Sequence, residues 1–142
     1  MKRYKLKPAR YIFLTALTSC IFLFCHAQKQ DTVIYPLAVQ FHSVCCGVPG
    51  DTPLRNLIKQ FRKKNKIKKI AAWHIGPMGR EGEYWLVFSL KELDKKQILL
   101  FKKQVKSIAE KMKDRGNASV EEDISIIKAD MPANAVWEKV VL

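Results

Sequence analysis

The chain has 142 residues, with 26 Lys+Arg against 13 Asp+Glu, a formal net charge of +13 and four cysteines. That length suits one domain built around one core. Two of the cysteines lie near the amino end and the other two are adjacent; if the amino-terminal pair is removed with a leader, the adjacent pair alone cannot join distant parts of the chain, which excludes a disulfide-held scaffold.

Lys2, Arg3, Lys5, Lys7 and Arg10 precede an apolar run from Tyr11 to Phe24, which closes on Cys25-His26-Ala27-Gln28. A basic start, a short apolar stretch and a small residue before the cut are the parts of a secretory signal peptide, so residues 1–27 read as a leader cleaved after Ala27. The run is shorter than the ~18 residues of a membrane-spanning helix. Leu17-Thr18-Ser19-Cys20 resembles a lipobox and gives a rival reading, a lipoprotein attached at Cys20. The expected product is periplasmic or secreted and keeps only Cys45 and Cys46. Its 21 basic residues still outnumber its 13 acidic ones.

Residues 28–33 read as a polar lead-in. From Tyr35 to Val44 the pattern alternates, with Leu37, Val39 and Phe41 on one face and Ala38, Gln40 and His42 on the other, which is a half-buried strand. Cys46-Gly47-Val48-Pro49-Gly50 breaks it. A helix follows with Thr52 as N-cap and Pro53 at its first position; Leu54, Leu57, Ile58 and Phe61 form one apolar stripe. It frays near Asn65. Strands at 70–75 and 83–90 enclose the loop Gly76–Gly82, a hairpin with a long connection. Asp94 and Gln97 have capping-box spacing ahead of a second helix. Its stripe is Ile98, Phe101, Val105, Ile108 and Met112, and Gly116 reads as its stop. A strand from Val120 to Lys128 has Ile124 and Ile126 on one face, and the apolar tail from Ala135 to Leu142 suits an edge strand.

The order β-α-β-β-α-β, with one apolar stripe per helix, predicts an α+β fold: a two-layer sandwich over residues 28–142 with an antiparallel sheet and both helices on one face. That is the split arrangement of ferredoxin-like folds. A superfold licenses no function by itself.

Cys45-Cys46-Gly47 falls in the first strand-to-helix loop, just before a helix start that favours thiolate. In topology this resembles the heavy-metal-associated domains, which carry paired cysteines in the same loop, spaced Met-x-Cys-x-x-Cys where here they are adjacent. The resemblance implies a soft metal ion, Cu(I) or Zn, on Cys45 and Cys46; His42, three residues before Cys45 on the same strand, is the candidate for a third ligand. Set against it are thiol-redox use, a vicinal or intermolecular disulfide, and a small buried residue beside an incidental thiol. His42 and His74 otherwise read as polar positions on the open sheet face.

Trp85 and Val87 are expected on the sheet face away from the helices, beside Ala38 and His42. An apolar face left open there suits a protein partner or a second copy of the chain. The run from Arg62 through Lys63 and Lys64 to Lys69 is the densest charge and suits an anionic envelope component. Without interleaved aromatics it lacks the stacking that single-stranded nucleic acid needs. Carboxylates are few, and no nucleophile elbow, His-Glu-x-x-His or phosphate-binding loop is present, so neither an enzyme nor a resident cofactor is expected. The leading expectation is an exported, non-enzymatic binding domain. A thiol protein using Cys45 and Cys46 comes second, and an anion binder using the Arg62–Lys69 run third.

Overall fold

The computed structural model describes residues 32–142. The expected leader, its cleavage site at Ala27 and Cys20 lie outside the described residues. The elements are β1 (Thr32–Ser43), α1 (Thr52–Asn65), β2 (Ala71–Gly76), β3 (Tyr84–Ser89), α2 (Lys95–Ala109), β4 (Gly116–Ile127), a 3-10 turn at Lys128–Asp130, and β5 (Val136–Val141). The five strands form one antiparallel sheet in the order β4-β1-β3-β2-β5.

The alternation in β1 holds over the sheet proper. Leu37, Val39 and Phe41 pack with Leu86, Phe88 and Ala72 against Leu54, Ile58 and Phe61 of α1 and Phe101 and Val105 of α2. Phe101 is the hub, 5.0 Å from Phe61 and 5.9 Å from Phe88 between ring centroids, each pair edge to face. Both helices thus cover the same face of the sheet.

Three local expectations need correction. Asp51, not Thr52, is the N-cap of α1, and it makes no side-chain capping bond. Arg55 holds its carboxylate instead, Nη2 lying 2.7 Å from Oδ2. Gly116 does not stop α2, which ends at Ala109; it opens β4, four residues before the expected start. β1 begins at Thr32, inside the supposed lead-in. The capping box of α2 forms as its spacing predicts: Gln97 N–H donates to Asp94 Oδ1 at 2.8 Å, and Asp94 N–H donates to Gln97 Oε1 at 3.0 Å.

Beyond the sheet, β1 and β4 continue as a two-stranded arm. β3 pairs with β1 only from Leu37 to Phe41, while β4 follows β1 down to Thr32. Pro36 and Asp123 stand opposite each other at a gap in that ladder. Proline has no N–H to donate, and Asp123 takes φ 51°. From there the faces exchange: Tyr35, Ile124 and Ile126 turn to the sheet face away from the helices, joining Ala38, Ile75 and Val87 in a second cluster. Tyr35 reaches Trp73 on β2 and Trp137 on β5, at 5.4 and 6.4 Å between centroids, so the arm lies back across the sheet. That curl makes the last connection feasible. β4 and β5 lie at opposite edges, about 19 Å apart at the usual strand spacing. Residues 128–135 cross between them, and Lys128 ends 5.6 Å above the Trp137 ring.

Candidate functional site

Cys45 and Cys46 are exposed free thiols on the loop between β1 and α1. His42 is not gathered to them; its Nε2 lies 2.9 Å from Ser119 Oγ on the neighbouring edge strand β4. Among the described residues no three His, Cys, Asp or Glu side chains come close enough to hold a metal ion.

His74 is not on the face away from the helices. Its ring stacks on Tyr84 at 4.7 Å, and Tyr84 stacks in turn on Phe41 at 4.3 Å, within the helix-side core. Burial, reinforced by the Asp51 carboxylate, holds the Tyr84 hydroxyl protonated well above the ordinary tyrosine range; Arg55 pulls the other way. This His74–Tyr84–Phe41 column, with the Asp51–Arg55 pair beside it, left no sequence motif. Strand alternation could have found it, because His74 shares parity with Ala72, a core residue.

Trp85 and Val87 do lie on the face away from the helices, but the chain's own arm shares that face. Val87 and Ala38 are completely buried, and Trp85 is half-buried against the same cluster. Beside the arm, Tyr35, Pro36, Trp73, Ile34 and Ile98 line an apolar groove of about 440 Å³, with Lys91 at its rim.

The helix layer carries the charge. Between 52 and 69 there are eight basic residues and no acidic one; between 95 and 113 there are seven basic residues and one acidic. These two segments hold fifteen of the twenty basic residues from 32 to 142, but only one of the twelve acidic ones. Thirteen of the fifteen are exposed; the exceptions are Arg62 and Lys102. Arg62 is turned inward, donating through Nη2 to the Lys68 carbonyl and so tying the turn into β2. Lys102 donates to Glu122 Oε2 at 2.8 Å, pinning α2 to the sheet edge. Lys63 and Lys64 remain free on the surface, whereas Arg62 is committed to the fold. The sequence run shows half of this layer; the lysines of α2 join it only through the packing of the helices.

Two residues of that layer escaped the stripe reading. Leu99 and Leu100 on α2 are 70% and 41% exposed. Leu100 shares an open groove of about 210 Å³ with Leu57, Phe61 and Lys64 of α1. The available signal was two leucines off the buried stripe, set between Lys95-Lys96 and Lys102-Lys103. Compared with known protein families, curated proteins and solved structures, the chain matches none.

Proposed function

We propose that this chain is an exported, non-enzymatic binding domain of ferredoxin-like type whose helix layer docks on an anionic partner. The order β4-β1-β3-β2, with both helices on one face, supports the ferredoxin-like assignment, β5 being an added edge. The observation that carries the function is the charge of the helix layer: the two helices carry ten basic residues and no acidic one, their only adjoining carboxylates at the N-terminal ends being the caps Asp51 and Asp94. A surface that merely keeps a domain soluble is better served by interspersed signs; a field of one sign attracts and orients a partner of the other. The sheet face away from the helices offers a partner less, because Val87 and Ala38 are covered.

Titration with a soluble polyanion such as heparin tests this reading. Near an anionic surface each lysine contributes about 1 kcal/mol, so Lys63→Glu with Lys103→Glu is expected to weaken binding by about tenfold or more. Glu121→Lys, opposite Ala38 on the sheet face away from the helices, is expected to leave it intact, as is Cys45→Ser with Cys46→Ser. Affinity should fall steeply with salt. Binding that ignores salt and the lysine reversals, or binding lost with the thiols, defeats the proposal.

A further inference from the structure

Leucine is the wrong residue for a surface that meets only charge, yet Leu99 is 70% exposed on the crest of α2. One turn away in each direction along the helix lie lysines: Lys95 and Lys96 before it, Lys102 and Lys103 after it. Lys102 is held by Glu122, which leaves Lys95, Lys96 and Lys103 free around the leucine. Leu100 extends the apolar spot toward α1, where Lys64 lines the same groove. Lys63, Lys64 and Lys59 on α1 and Lys106 on α2 are likewise exposed. The pattern is an apolar tip ringed by long cationic side chains on a face with almost no negative charge.

We infer that the helix layer docks on an anionic lipid surface, with Leu99 and Leu100 entering the interface and the surrounding lysines meeting the headgroup phosphates. Lysine stems are flexible and apolar, so their ammonium groups can stay at headgroup level while neighbouring leucines sink below it. A nucleic acid offers no apolar phase for the leucines, and Phe61 and Phe101 of this layer are buried and cannot stack on bases. An acidic protein would need an apolar pocket of its own to receive Leu99, and it is the partner left standing if heparin binds and vesicles do not. The contact is peripheral: no described helix is long and apolar enough to cross a membrane. This inference rests on the anion-docking reading and adds the chemistry of the partner.

The test uses the domain from Asp31 to Leu142, which is a compact unit with its own core and lacks the amino-terminal apolar run that would bind lipid by itself. Sedimentation with phosphatidylcholine vesicles, with and without phosphatidylglycerol, is compared with heparin binding. Vesicle binding should require phosphatidylglycerol. Leu99→Ser with Leu100→Ser should reduce it by about tenfold or more, since two leucines lose their apolar transfer, and should leave heparin binding unchanged. Leu99→Ser alone, at a site with little packing to lose, should show the same direction and guards against a folding artefact. Lys96→Glu with Lys103→Glu should weaken both ligands. Heparin binding without vesicle binding, or vesicle binding indifferent to the leucines, overturns the lipid inference but spares the anionic reading. Failure to bind either ligand overturns both. Equal binding to pure phosphatidylcholine removes the charge requirement and overturns the inference as stated.

Discussion

Gly116 sits where β4 starts beside the end of β1, and a methyl group there would run into the His42 carbonyl oxygen, with the Pro49 ring 2.9 Å away. Neither neighbour is a flexible side-chain end, so Gly116→Ala is expected to cost about 1–3 kcal/mol in urea unfolding. Gly50→Ala in the adjoining loop meets nothing within 4 Å and should stay within about 0.5 kcal/mol of the parent. Equal midpoints for the two variants would show that the strand can retreat. Tyr84 gives a second residue-scale expectation. Burial and then Asp51 raise its pKa in the fold, above the value of about 10 for an unfolded tyrosine. The folded state therefore keeps a proton that the unfolded chain has lost, and stability is full below about pH 10 and falls as pH rises through the folded value. Tyr84→Phe keeps the stack between Phe41 and His74 and should flatten that alkaline decline. An unchanged slope would assign it to other groups. Tyr35, also raised by burial, contributes separately and stays in both proteins.

At the scale of elements, periodicity made most of the fold legible. Leu54, Ile58 and Phe61, and Phe101 and Val105, pack where a 3.6-residue repeat puts them, and the Asp94–Gln97 spacing starts α2 correctly. The alternation rule failed at one place for a physical reason. A residue of positive φ in a strand redirects the side chains beyond it, and nothing in a single sequence marks Asp123 for φ 51°. The arm, its aromatic groove and the covering of Val87 all follow from that turn. The opposed faces give a paired test. Phe88 is fully buried under the helices, so Phe88→Ala should cost about 3–5 kcal/mol, a large share of the 5–15 kcal/mol that holds a typical domain. Trp85, half-buried on the other face, should cost clearly less on truncation. Thermal melts with the reverse ranking would mean that the arm side is the principal core.

At the scale of the whole molecule, the charge was legible only as a run of lysines and a net excess, because its concentration on one layer depends on α1 and α2 packing side by side. The exposed leucines were missed because a stripe reading accounts for apolar residues on the core side and passes over those outside it. Segregation on this scale also has a consequence for stability that does not depend on any partner. Ten cations and no anion on two adjacent helices repel one another, and the unfolded chain relieves that repulsion by spreading them out. Salt screens such exposed charges over a Debye length that falls from about 30 Å at 0.01 M to about 10 Å at 0.1 M. The Tm of the domain is therefore expected to rise as sodium chloride increases across that range, opposite to the trend for a fold held by surface ion pairs. The Asp51–Arg55 and Lys102–Glu122 pairs work in the opposing sense, but exposed pairs of this kind contribute at most about 1 kcal/mol each. Lys63→Glu with Lys103→Glu should raise Tm at low salt and shrink its salt dependence, while weakening anion binding in the same protein. A Tm that falls with salt in the parent, or a double reversal that destabilises at low salt, would show that the layer is not under electrostatic strain.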